Sequence, residues 1–240
     1  MSLPASAQPF DATGAMAEYT VPAAGREFRH ELEIKRSRFI TVLRRVETEE
    51  AAADMLGSVR KEFRDARHHC SALILGPDRN IQRAHDDGEP SGTAGAPMLE
   101  VLRRHEAGRT GASGAAADLS DVCAVVVRYF GGVLLGAGGL VRAYSSSVSL
   151  ALDAAVLVRR QRLRLFTVTV IHAEAGRLEH GLRAAGMTLR GSNYGPTGVQ
   201  LEAALKDTPE AIAAARQLLA ALSAGTAVPT FGTTAWLDVS

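Results

Sequence analysis

Residues 121–144 read DVCAVVVRYFGGVLLGAGGLVRAY, an apolar run, a glycine-rich turn and an amphipathic segment in direct succession. Val122, Cys123, Ala124, Val125, Val126 and Val127 leave no polar position, the pattern of a strand covered on both faces. A central strand at residues 121–129 needs neighbours on either side and layers above and below. Beyond the turn, residues 140–156 set Leu140, Val141, Tyr144, Val148 and Leu152 along one side of a helix.

Neighbours for that strand stand upstream. Residues 28–46 alternate around Lys35-Arg36-Ser37-Arg38 and read as two short strands, residues 69–75 as a strand closed by Gly76-Pro77-Asp78, and residues 80–84 as another. Thr48 opens a helix over 49–63, and Pro97 suits the first turn of a helix over 98–104. Residues 107–118 read as a loop of Gly, Ala and Ser. Residues 1–25, rich in Ala, Ser, Pro and Gly, are expected to be a flexible tail.

Downstream, the polar stretch 159–161 is the expected boundary between domains 26–158 and 162–240, each with its own core. The second domain reads as a strand at 163–171, a helix at 175–185 and a strand pair at 187–193 and 199–205. A helix at 208–222 and a strand at 228–237 complete it. This βαββαβ order is that of a ferredoxin-like domain, so the fold class is α+β.

With 240 residues, 46% hydrophobic and 22% charged, the chain can bury real cores, which excludes global disorder. Its 27 Lys and Arg nearly cancel 26 Asp and Glu, so a nucleic-acid role must use a local basic patch. Cys70 and Cys123 lack C-x-x-C spacing, which excludes a zinc knuckle and fits reduced cytoplasmic thiols. Neither a signal peptide nor a spanning segment is expected.

Four polar or glycine-rich clusters interrupt the first domain: residues 37–40, 65–70 (DARHHC), 86–95 (DDGEPSGTAG), and 128–132 (RYFGG) continuing to 135–144 (LGAGGLVRAY). Asp86, Asp87 and Glu89 either serve as general acid and base or hold a divalent cation, or they cap turns and pair with Arg67 or Arg128. Adjacent His68 and His69 point to opposite faces of a strand, so no metal site is expected there; Cys70 reads as a small buried hydrophobe. The turn holding Gly131, Gly132, Gly138 and Gly139 fits neither a Walker A loop nor G-x-G-x-x-G. It either cradles phosphate at a helix N-terminus or is a tight turn needing positive φ. No nucleophile–base cluster stands in the second domain.

In this order the clusters resemble the Impact/YigZ family over residues 33–155. The resemblance implies a first domain similar to domain 2 of ribosomal protein S5 and to the fourth domain of elongation factor G. It implies a ferredoxin-like second domain similar to the last domain of that factor. Where the family usually has a Lys in the stretch matching Gly95-Ala96-Pro97, this chain has Ala96.

The function expected is a non-enzymatic, translation-linked regulator in the cytoplasm that binds RNA, the ribosome or a translation-associated protein, with no cofactor. The alternatives are a hydrolase or phosphotransferase using Asp86, Asp87 or Glu89, and a protein-interaction module. The expected binding residues are Arg38, Arg67, His68, Asp87, Glu89, Arg128, Tyr129, Gly131, Gly132, Gly138, Gly139 and Arg142. Arg67 and Arg128 should converge with Asp86, Asp87 and Glu89 near Gly131-Gly132. Arg128 and Arg142 should be replaceable with little loss of folding.

Overall fold

A computed structural model of the chain describes residues 17–105 and 118–239. It divides into two compact units, Tyr19–Arg159 and Arg160–Ser240, with Glu18 grouped with the second. In order, the elements are β1 (Glu18–Pro22), β2 (Glu27–Ile34), β3 (Ser37–Arg45), α1 (Glu49–Glu62), β4 (His68–Leu75), β5 (Ile81–His85), α2 (Gly95–Arg104), β6 (Val122–Tyr129) and α3 (Ala137–Asp153). There follow β7 (Leu157–Val170), α4 (His172–Ala184), β8 (Thr188–Tyr194), β9 (Val199–Lys206), α5 (Pro209–Leu222) and β10 (Thr230–Val239). The fold is mixed α and β.

The first unit is built on the sheet β2-β3-β6-β4-β5, in which all neighbours are antiparallel. As its apolar run requires, β6 lies at the centre. Cys123, Val125 and Val127 pack with Ile40 and Val42 against Ala52, Met55 and Val59 of α1. Val122, Ala124 and Val126 pack with Phe39, Leu43 and Cys70 against Met98 and Leu102 of α2 and Leu140, Tyr144 and Val148 of α3. Each large side chain gains about 1.5–3 kcal/mol by such burial, so a polar residue in mid-strand would be costly on either face.

In the second unit, the sheet order is β10-β7-β9-β8, with β7/β9 and β8/β9 antiparallel. Leu178 and Leu182 of α4 and Ala215 and Leu219 of α5 cover Phe166, Val168, Leu201 and Ala203. The apolar clusters of the first unit draw on residues 28–157 and that of the second on 166–231, with none shared.

Two expectations are corrected. Residues 18–22 are not tail but strand β1, buried at every position, next to β7 in its sheet. Tyr19 donates to Asp121 Oδ2 at 2.6 Å, and Thr20 exchanges backbone bonds with Asp118 and Ser120 at 3.1 and 2.9 Å. Second, α3 begins at Ala137, behind Gly136 at φ 71°, which puts Gly138 and Gly139 inside its first turn. The polar stretch 159–161, where the chain divides into its two units, is the early part of β7, which starts at Leu157. There Arg159 Nη1 donates to Asp118 Oδ2 at 2.5 Å and to Thr20 Oγ1 at 2.9 Å. The expected loop at 107–118 lies, apart from Asp118, outside the described residues.

Candidate functional site

The acidic loop after β5 sends its three carboxylates in different directions. Asp86 accepts from the backbone N–H groups of Gly92 (2.8 Å), Ala94 (3.0 Å) and Gly95 (2.8 Å), and so caps α2, for which Ala94 offers no side-chain cap. Burial alone would push its carboxyl up, but these three donors hold it below the ordinary value. A Cβ on Gly95 would stand 2.6 Å from His85 N, so only glycine lets the helix start this close to β5. Asp87, at φ 45°, accepts from His69 N and from Arg60 Nη2 of α1, both at 2.7 Å.

Glu89 turns toward the opposite face of the sheet. Its Oε1 accepts from Arg128 Nη1 at 2.6 Å and from the Tyr144 hydroxyl of α3 at 2.8 Å, with the two charged residues 8% and 6% exposed. The Arg128 guanidinium lies over the rings of Phe39 (5.5 Å) and Phe130 (5.7 Å). Ring faces on this cation accompany a buried Nε that has no hydrogen-bond partner. Cys70 points its thiol at the Asp86 carbonyl (2.9 Å) and the Tyr144 oxygen (3.3 Å). Burial pushes that thiol up to about 12 and raises the Tyr144 hydroxyl as well. A thiol so held is unreactive at neutral pH.

The expected convergence is therefore corrected. Glu89 and Arg128 meet, while Asp86 and Asp87 serve α2 and the α1 side, and each carboxylate is occupied by internal donors. Arg128 is an interior ion-pair partner and not an exposed phosphate contact. His69 is 6% exposed and sits with Nε2 3.1 Å from the Phe63 carbonyl, a structural histidine as its strand position implies. Among the described residues, no group of three or more His, Cys, Asp or Glu is placed to hold a metal ion.

Exposed basic groups gather instead at the end of the sheet where β6 leaves the core. Gly131 N donates to Ser37 Oγ at 3.1 Å, and a Cβ on Gly131 would stand 2.0 Å from the Arg36 carbonyl carbon. The β2–β3 turn, with Lys35 and Arg36 at φ 49° and 65°, is thus pressed against the start of the glycine turn. Arg38 lies across from Tyr129 in the β3–β6 register, with its guanidinium 5.4 Å from the ring centroid. The Tyr129 hydroxyl donates to Asp65 Oδ1 at 2.8 Å, which holds that carboxyl low and ties the segment carrying Arg64 and Arg67 to the same end.

Lys35, Arg36, Arg64, Arg67 and Arg142 are exposed and have no ion-pair partner among the described residues. Arg38 is paired with Glu31 at 2.6 and 3.1 Å, and Arg142 Nε donates to the Gly138 carbonyl at 3.2 Å. Phe130 is 51% exposed and Leu134 82%. Gly132, at φ 83°, shapes the turn. The N–H groups of Ala137, Gly138 and Gly139 precede the first intrahelical bond, from Leu140 N to Gly136 O at 2.9 Å. Lys35, Arg36 and Arg64 were not among the expected site residues; the signal available was the basic hairpin turn beside a recognised cluster.

This mixed α/β chain carries an Impact N-terminal domain: the model of that family matches residues 35–152, from the β2–β3 turn to the last turn of α3. It is 43% identical over 176 residues to the IMPACT family member YvyE of Bacillus subtilis, covering 73% of this chain and 74% of that protein. It is 46% identical over 138 residues to YigZ of Escherichia coli, covering 57% and 62%. The Thermus thermophilus IMPACT family member is 36% identical over 167 residues, covering 70% and 83%. A crystal structure of a hypothetical protein, 36% identical, superposes with a TM-score of 0.56 over 89% of this chain and 97% of the other. The protein belongs to the IMPACT family.

Proposed function

We propose that this IMPACT-family protein binds RNA at the basic end of its first unit and acts in translation, as a binding protein and not as an enzyme. The observation that carries the reading is the cluster of unpaired, exposed Lys35, Arg36, Arg64 and Arg67 beside exposed Phe130. Cations without internal partners are free for phosphate, and an exposed ring offers a face on which an unpaired base stacks. Internal engagement of Asp86, Asp87 and Glu89 supports binding over acid–base catalysis.

The three-layer first unit supports an S5 domain 2-like architecture, and the order β10-β7-β9-β8 with two helices on one face supports a ferredoxin-like second unit. Both kinds of domain occur in ribosomal proteins and elongation factors, so the link to translation rests on analogy of fold. A cytoplasmic site of action fits this reading. No helix among the described residues is long and apolar enough to cross a membrane.

Changing Lys35, Arg36, Arg64 and Arg67 together to Gln is expected to leave the fold intact, because none of the four is buried or ion-paired. Titration with mixed-sequence single-stranded RNA should then show weaker binding for all sequences alike. The slope of log affinity against log salt should flatten by about 0.7 for each phosphate contact removed. Unchanged affinity and slope would reject this surface as the RNA site.

A further inference from the structure

His68 opens β4 directly beside Arg67 and lies across from Arg128 in the β4–β6 register. Alternation along the strand puts its side chain on the face of Cys70, the face covered by α2 and α3. Its Nδ1 stands 2.9 Å from the Asp87 carbonyl oxygen. A carbonyl can only accept, so Nδ1 carries a proton, and in the tautomer this selects Nε2 is the acceptor. The ring is seated beside Gly88, at φ +84°, where a Cβ would stand 3.6 Å from Nδ1.

Most side chains in the basic cluster can only donate. Lys35, Arg36, Arg64 and Arg67 are donors without acceptor capacity. The carboxylates nearest His68 are engaged, Asp65 by Tyr129, Asp87 by His69 and Arg60, and Glu89 by Arg128 and Tyr144. A polyanion held by the basic side chains would meet the Nε2 edge of this ring. RNA carries a hydroxyl donor on every sugar, and DNA carries none at that carbon. Resting on the RNA-binding reading above, we propose that His68 Nε2 accepts the 2′-hydroxyl of a bound ribose and makes this site selective for RNA over DNA single strands.

The test is fluorescence anisotropy of the full chain with one short mixed-sequence single strand, prepared as RNA, as DNA and as 2′-O-methyl RNA. RNA is expected to bind roughly three- to tenfold tighter than DNA, the range of one net hydrogen bond. The 2′-O-methyl strand should fall to the DNA level. His68→Asn retains an N–H group near the Nδ1 position for the Asp87 carbonyl but has nothing at Nε2, so the fold should survive, checked by thermal melting. In that variant RNA should bind no tighter than DNA. Equal affinity for RNA and DNA in the unaltered chain, or a preference for RNA that persists in His68→Asn, would overturn the role of His68 while leaving RNA binding intact. Binding of neither polymer would overturn the RNA reading itself and this inference with it.

Discussion

Replacing Glu89 by alanine is expected to destabilise the first unit by about 3–5 kcal/mol, because it strands a buried guanidinium without its counter-charge. Arg128 is 6% exposed, its Nε already lacks a hydrogen-bond partner, and the Tyr144 hydroxyl would lose its acceptor in the same step. A loss of this size approaches the whole stability of many domains. Arg128→Ala should be comparably damaging, contrary to what its place at the end of a strand implies from sequence. Arg29 and Glu62 form a bidentate pair, at 2.5 and 2.7 Å, but it is exposed, so removing it should cost about 1 kcal/mol or less. Urea denaturation of the three variants checks the order. Glu89→Ala and Arg29→Ala of equal stability would contradict the structural role given to the buried pair.

Gly131→Ala is expected to cost about 3 kcal/mol or more, at the upper end of overpacking effects. The added Cβ would stand 2.0 Å from the Arg36 carbonyl carbon and 2.3 Å from both the Arg36 oxygen and Ser37 N. All three are backbone atoms that no rotamer change can move. Gly132→Ala meets open space and is strained only by its φ of +83°, a penalty of about 1 kcal/mol. Relief of the clash at Gly131 must displace the β2–β3 turn that carries Lys35 and Arg36, so RNA affinity should fall with stability. Melting curves and RNA titrations of the two alanine variants measure both effects. A Gly131→Ala protein as stable as Gly132→Ala would mean that the turn and the glycine loop do not touch.

The parts of the fold legible in sequence are those whose signal is local and periodic. Six consecutive apolar residues mark β6, and the 3.6-residue spacing of Leu140, Tyr144, Val148 and Leu152 marks α3. Thr48 and Thr208 cap α1 and α5 by accepting from the N–H three residues on, at 3.1 and 3.2 Å. Features that depend on distant partners are not legible. β1 is five residues whose Tyr19 and Thr20 find Asp121, Asp118 and Ser120 about a hundred positions later. The cap of α2 comes from Asp86, eight and nine residues before the N–H groups of Ala94 and Gly95, outside the window in which capping motifs are read.

Within the candidate site, Arg38, Arg67, His68 and Tyr129 are legible as members of motifs that resemble the family. Arg128 stands in such a motif too, yet its residue type argues for exposure, and its burial depends on Glu89, 39 positions earlier. Lys35, Arg36 and Arg64 join the site through the contact between the β2–β3 turn and Gly131 and through the Tyr129–Asp65 bond, neither of which periodicity encodes.

Ultraviolet crosslinking of the purified full chain to single-stranded RNA, with the modified peptides identified by mass spectrometry, tests the RNA-binding claim most directly. Adducts are expected on the peptides that carry Phe130 and the Arg64–His68 segment, and they should diminish as salt is raised. Adducts confined to Arg160–Ser240, or no adduct at low salt, would contradict it.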